Sequence, residues 1–399
     1  MFIEFSLAIL AGIIFGICTG LIPGIHVNLI TLILVSSLIG LESFSAIILA
    51  VFVTSLAITH TFIDFIPSVF LGAPEEDTFL SVLPGHQMLK DGKAHEAIVL
   101  TLYGSLAALL IILVFTPLFI YLIPIIYNLI KLILPFILIF ISSYLILREK
   151  DSLLAFSVFS LAGILGYLSL NLPVREPLLP LLTGLFGTSA IIISLKNKFE
   201  PIQQEIVPIK KIKISKNEFS KSIIGSIFSA PLCSFLPGIG SGHAAVLGSE
   251  ILKQSQRGFL VLLGAINTIV MGLSFITIYS IGRTRTGAAV AIKELLKEIT
   301  FQDLALIILT IVISGILSFF VALNISKFSA KYITKINYQT VSILVLILLL
   351  LVTIIFSNLL GILIFLIATS LGTFTILSGA RRINLMGCLL IPTILLYLF

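Results

Sequence analysis

After Ser342 the chain runs to Phe356 through aliphatic residues broken only by Thr353, and Leu106–Pro117 and Leu132–Leu147 are nearly as bare of polar side chains. Water cannot solvate several such stretches at once. A soluble fold carries roughly 25% charged residues to cover its surface; here 11% are charged, 58% are hydrophobic and the mean hydropathy is +1.22. Segments of about 20 apolar residues match the hydrocarbon thickness of a bilayer. In lipid the backbone must satisfy its own hydrogen bonds, which an α-helix does within one segment. The expected class is therefore an all-α polytopic protein of the cytoplasmic membrane.

The remaining composition adds exclusions. The net charge of +6 is explained by the excess of Lys and Arg on cytoplasmic loops, so no nucleic-acid partner is expected. Met1–Ala11 lacks a basic start and a small-residue cleavage site, and it is not read as a removable signal. Cys18, Cys233 and Cys388 are isolated, without CxxC or Cys/His spacing, and read as packing residues. No cofactor or metal is expected.

The chain repeats itself. Gly20-Leu21-Ile22-Pro23-Gly24-Ile25-His26 is echoed by Ser234-Phe235-Leu236-Pro237-Gly238-Ile239-Gly240, and Ile58-Thr59-His60-Thr61 by Ile266-Asn267-Thr268. Leu165-Gly166-Tyr167 with Arg175 is echoed by Leu371-Gly372-Thr373 with Arg381, in the same order. The expected organisation is a first membrane repeat over 1–195, a basic cytoplasmic linker over 196–221 and a second membrane repeat over 222–399.

Each repeat opens on two short apolar arms meeting at Pro-Gly, where proline removes a donor and glycine loosens the helix. Such a segment crosses twice, dips in and returns as a re-entrant hairpin, or is one broken crossing. Lys216 and Lys221 before the second hairpin, with Lys253 and Arg257 after it, place both its ends inside; Glu4 and Glu42 flank the first, placing both its ends outside. Five crossings per repeat then follow, at about 44–72, 97–121, 126–147, 152–170 and 177–195, and at about 259–281, 302–325, 340–357, 359–377 and 383–398. An odd number makes the repeats inverted. Arg283, Arg285, Lys293 and Lys297 fall outside, against the rule.

Broken helices at matching positions point to a midplane site, because their free N–H groups and positive dipole ends suit a carboxylate or phosphate. The candidate substrate-binding residues are Gly24, Ile25, His26, Asn28, Gly238, Ile239, Gly240, Ser241, Gly242, His243 and Asn267, with Arg283 and Arg285 as bidentate anion ligands. A pair of proline kinks with close helix packing is the competing explanation. Asp64 is an acid inside an apolar span with His60 one turn earlier, a pattern expected to face a partner or a pathway. His60, Asp64, Glu75, Glu76 and Asp77 are the candidates for coupling to H+ or Na+. The acidic Gly72–Thr78 segment matches the basic Gly282–Ala289 segment in position.

At these residues the chain resembles the large membrane subunit family of tripartite tricarboxylate transporters, in its archaeal-type, stand-alone form. The resemblance is carried by Gly20–His26, Phe70-Leu71-Gly72-Ala73-Pro74, the Leu83–Ala94 loop similar to that family's "LPGxxLxxxGxA", Phe235–Gly240 and Gly282–Ala288. It implies uptake of citrate-like carboxylates driven by an ion gradient, with a small membrane subunit and an external binding protein as partners. His26, Asn28 and the shorter chain depart from that pattern. The plan is also similar to families that recycle polyprenyl-phosphate lipid carriers, so a lipid phosphate is the alternative ligand to a small anionic solute. An intramembrane enzyme is a third reading. Against it, His95-Glu96 lacks the second histidine of HExxH, and no Gly-x-Ser-x-Gly element is present.

Overall fold

The computed structural model describes residues 2–22, 27, 45–71, 82–130, 133–196, 202–235, 241–283, 286–335 and 337–398, and every regular element among them is helical. Before the linker lie α1 (Phe2–Leu21), α2 (Ala46–Ile63), α3 (Phe65–Leu71), α4 (Val82–Lys90), α5 (Ala94–Ile130), α6 (Leu134–Leu147) and α7 (Ser152–Asn171). Then α8 (Leu178–Leu182) passes through a π-helical turn, Thr183–Thr188, into α9 (Ser189–Lys196). After the linker come α10 (Lys216–Phe235), α11 (Ser241–Ile251), α12 (Gln256–Ile281), α13 (Gly287–Leu296), α14 (Phe301–Tyr332), α15 (Tyr338–Ser378) and α16 (Gly387–Leu398). Eight helices among the described residues are long and apolar enough to cross a membrane. The chain is a multi-pass α-helical membrane protein.

The helix ends have local causes. Proline at 67 offers no N–H to the carbonyl of Ile63 four residues earlier, and there α2 stops, leaving Asp64 as a turn residue between α2 and α3. α5 differs from expectation: it continues through Pro117 and Pro124 to Ile130, so the break expected between 121 and 126 lies after 130. Prolines are tolerated in such helices because neighbouring groups and local adjustments take up the freed backbone. In α15 the gap expected after 357 is a single residue. Asn358 takes φ 59° and ψ −171°, its Nδ2 donates to the Pro173 carbonyl at 3.0 Å, and its Oδ1 accepts from Leu360 N at 3.1 Å.

Helix directions follow from which residues meet. α1 lies along α2 in the same direction, with Gly12, Gly16 and Gly20 facing Ser55, Thr59 and Ile63 so closely that a Cβ would collide. Small residues at four-residue spacing are the membrane's means of bringing backbones together. α10 lies along α12 likewise, and α11 turns back, so that Gly248 faces Gly225. The arms of the second hairpin therefore run antiparallel, with Ser222 donating to the Gly258 carbonyl at 2.7 Å beside the hairpin's ends. α5 and α12 run in the same direction, Gly104 lying against Val261 and Ala265 and, further along both, Ile112 against Gly272. α5 and α14 run antiparallel: His95 Nδ1 meets Ser326 Oγ at 2.9 Å near one end, and Leu109 meets Gly315 further along.

The linker is packed against the helices. Gln204 is buried, accepts from Ala94 N at 2.9 Å and donates to the Leu89 carbonyl at 3.0 Å. Tyr103 Oη donates to the carbonyls of Ile209 and Ile212. Arg257 pairs with Glu96 and donates to the Lys213 carbonyl at 2.8 Å.

Two stability outcomes follow. Gly264→Val forces a side chain into the Thr101 carbonyl and should lower stability by about 1–3 kcal/mol, the usual cost of overpacking; an unchanged melting midpoint in detergent contradicts the close approach. Glu176, at the Asn171–Leu178 connection, has its carboxyl pKa raised by burial above 4.5. Its contribution is full below 4.5 and is lost as pH rises through the raised value. Glu176→Gln should therefore melt at or above wild type at pH 7 and lose that advantage below pH 4.5. A melting curve shifted equally at both pH values refutes this.

Candidate functional site

Asp64 ends α2, and its neighbours come from three helices. Asn267 Nδ2, on α12, donates to Asp64 Oδ2 at 2.8 Å. Three residues earlier on α2, Thr61 Oγ1 lies 3.2 Å from Thr268 Oγ1. Thr61 donates its own proton to the Ile58 carbonyl at 2.8 Å, so Thr268 is the donor of that pair. Thr59 Oγ1 accepts from Ser318 Oγ of α14 at 2.8 Å. His60 Nδ1 lies 3.0 Å from Thr19 Oγ1 of α1. Thr19 spends its proton on the Gly16 carbonyl, so the His60 Nδ1 bears hydrogen and donates. All eight residues are buried, Asp64 at 2% and Asn267 at 4% exposure.

The pairing brings α2 and α12 together at a crossing where one runs against the other: residue numbers rise from Thr61 to Asp64 while their partners fall from Thr268 to Asn267. The two segments that echo each other in sequence, Ile58–Thr61 and Ile266–Thr268, thus meet in space.

An acid at membrane depth is unfavourable and faces a partner or a pathway; Asp64 meets Asn267 of another helix there.

Of the sequence candidates, the structure brings His60, Asp64 and Asn267 into one cluster. Ser241 and Gly242 open α11 and are buried. Arg283 is elsewhere: α12 is capped by Gly282 in the left-handed conformation, φ 65°, and Arg283 lies about 24 Å along the axis from Asn267 at 1.5 Å per residue. It is exposed, with its guanidinium 5.2 Å from the Tyr127 ring centre and 3.5 Å from Tyr397 Oη. Gly24, Ile25, His26, Asn28, Glu75, Glu76, Asp77, Gly238, Ile239, Gly240 and Arg285 lie outside the described residues, as does the side chain of His243. Sequence reasoning passed over Thr19, Thr268 and Ser318. Their signal was available: Thr310, Ser314 and Ser318 form a buried polar row at helical spacing on α14, and Thr19 adjoins the Gly12-Gly16-Gly20 row.

Residues 7–387 match the model of the Tripartite tricarboxylate transporter TctA family. An uncharacterized protein of Methanocaldococcus jannaschii is 33% identical over 98% of this chain and 98% of its own. No solved structure matches.

Two substitutions test the role of the acid. Asp64→Asn removes an ionisable group and keeps a hydrogen-bonding partner for Asn267, so its melting midpoint should equal or exceed wild type. Asn267→Ala strips the acid of a donor and should lower stability by about 1–3 kcal/mol. A loss in Asp64→Asn as large as in Asn267→Ala would show the acid to be structural.

Proposed function

We infer the function from one premise: this chain belongs to the Tripartite tricarboxylate transporter TctA family. It is a secondary transporter that moves a small carboxylate-type anion across the cytoplasmic membrane, coupled to a gradient of H+ or Na+. The observation that carries this reading is the buried Asp64–Asn267 hydrogen bond, an ionisable group at the crossing of two membrane helices from opposite halves of the chain. His60 and Asp64 serve the coupling ion. The Pro-Gly segments at 23–24 and 237–238 are the ones this reading assigns to the anion. Arg283, with Arg285, acts as a first capture point at the end of α12.

The repeats are inverted. Support comes from the antiparallel course of α5 and α14, which hold matching places in the two halves, and from the crossing of α2 with α12. A small membrane subunit and an external binding protein are the partners that the family implies. One observation favours a lipid phosphate: a groove of about 660 Å³ between α5 and α14, walled by Leu113, Pro117, Leu304 and Ile308, with Leu113 and Leu309 exposed at its edge. It would receive an acyl or prenyl chain.

Purified protein in proteoliposomes decides between them. Uptake of labelled citrate under an imposed Na+ or H+ gradient should fall at least about 10-fold in Asp64→Asn, or about 1.4 kcal/mol. Citrate uptake that is equal in both proteins removes Asp64 from coupling. Absence of citrate uptake, with thermal stabilisation by a short-chain polyprenyl phosphate, replaces the solute with the lipid.

A further inference from the structure

Gly166 of α7 meets the Cys388 backbone of α16, and Gly372 of α15 meets the Leu185 carbonyl of the π-helical turn. Beside these contacts, Gly387 meets the Phe159 carbonyl and Gly184 the Phe365 carbonyl. The same packing is thus built twice, once between α7 and α16 and once between α15 and α8–α9. Gly166 and Gly372 belong to the two echoing stretches that end on Arg175 and Arg381. The next residue differs: Glu176 in the first half, Arg382 in the second. Packing alone does not account for that arginine, because the first copy is made without one.

Arg382 opens a short 3-10 turn, Arg382–Met386. Its Nη2 donates to the Phe186 carbonyl, and the guanidinium carbon lies 5.6 Å from the Phe186 ring centre. Phe186 stands near the middle of the 19-residue apolar span Leu178–Lys196. A charge held there needs an ionised partner or a full set of hydrogen bonds. Arg382 has neither. It makes no ion pair among the described residues, and its Nε is buried without a hydrogen-bond partner. Glu149, the acid nearby in the fold, is engaged by Arg381 Nε at 2.5 Å and Asn384 Nδ2 at 3.0 Å. In the π-helical turn itself, Thr188 Oγ1 is also buried without a partner. Capping the Phe186 carbonyl needs one neutral donor, which a glutamine supplies without burying charge. π-helical turns recur at functional sites, and unmatched buried donors at one of them point to a ligand.

The place of Arg382 in the bundle follows from its neighbours. α15 runs beside α8–α9 in the same direction, from Asn358 at Pro173 to Gly372 at Leu185. Arg381 and Arg382 therefore come at the end where α9 passes into the linker. Arg283 is at the other end, since α12 starts beside the linker, with Arg257 on the Lys213 carbonyl, and runs away from it. The acid-bearing helices adjoin the same region. α3 leads from beside Asp64 to Leu71, which packs on the cluster of Ile191, Leu349 and Phe365. Ile191 follows Phe186 by five residues on the same span.

We propose that Arg382 binds an anionic oxygen, of a carboxylate or a phosphate, on the linker side of the membrane, at a site separate from Asp64–Asn267 and from Arg283. The anion supplies the charge that the guanidinium lacks and accepts from donors that the Phe186 carbonyl leaves unused, in the charge-assisted pairing that arginine favours. In the carrier reading, on which this role rests, Arg382 is a second station for the transported carboxylate. The same chemistry has one other source, the phosphate of a lipid headgroup.

The chain contains no tryptophan, so Phe186→Trp places a single indole against the guanidinium as a local reporter. The full chain in phosphatidylcholine nanodiscs is titrated with citrate and, separately, with dihexanoyl phosphatidic acid. Citrate should change the indole emission to saturation. Arg382→Gln, which keeps a donor for the Phe186 carbonyl, should weaken the apparent affinity at least about 10-fold, the lower end of what a hydrogen bond to a charged group contributes. Arg382→Lys should fall between the two. Calorimetric titration with Phe186 retained repeats the comparison without the reporter. Equal affinities in Arg382→Gln and its parent for both probes, or no binding of either probe, overturn the proposal. Weakening for phosphatidic acid alone upholds the oxyanion site and makes its ligand a lipid headgroup. Citrate bound through Arg382 without citrate uptake in proteoliposomes upholds the site and removes the carrier reading. Citrate uptake undiminished in Arg382→Gln overturns its role as a station and leaves the carrier reading standing.

Discussion

A carboxyl group inside a bilayer needs hydrogen-bond donors, and the close packing of α1, α2, α5 and α12 brings Asn267 to Asp64. Asn267 reaches Asp64 only if α2 and α12 cross at close range. That crossing in turn depends on α1 and α5 lying close against the pair, which Gly12, Gly16 and Gly20 permit on one flank and Gly104 and Gly264 on the other. The hydroxyl pairs Thr61–Thr268 and Thr59–Ser318 fill the remaining polar positions with neutral partners. A larger side chain at any of these glycines separates the helices before it disturbs the acid itself.

The helices α6–α9, α15 and α16 meet the same need for cohesion differently. Gly166 packs on Cys388 and Gly372 on Leu185, while at the connections Arg381 and Asn384 reach Glu149 and Asn358 reaches the Pro173 carbonyl. Polarity in these helices is thus concentrated near the helix ends.

Much of this was legible in the residues. Membrane class followed from the scarcity of charge, and the spans followed from apolar length, because lipid forces backbone groups to pair locally. His60, Asp64 and Asn267 stood out as polar residues in apolar runs at echoing positions. What could not be read was which echo touches which: Thr61 facing Thr268 is a fact of helix crossing, and nothing local to either segment encodes it. The continuation of α5 through Pro117 and Pro124 was missed for a related reason, since proline ends a helix in water more readily than in a packed membrane bundle. Arg283 was grouped with the binding residues by position in the repeat, yet helix rise carries it away to Tyr127 and Tyr397. Which helices pack together was beyond sequence reasoning too, because α1–α5 pack chiefly with α10–α14 and α6–α9 with α15 and α16, across both halves.

The claim at the centre of this account is that the buried cluster joining α2 and α12 is where cargo and coupling ion are held. Electron cryomicroscopy of the full chain in nanodiscs with citrate and Na+ tests it most directly. The predicted result is density for the anion beside Asp64 and Asn267. Density confined to Arg283, Tyr127 and Tyr397, with the Asp64–Asn267 cluster dry and unchanged, would contradict it.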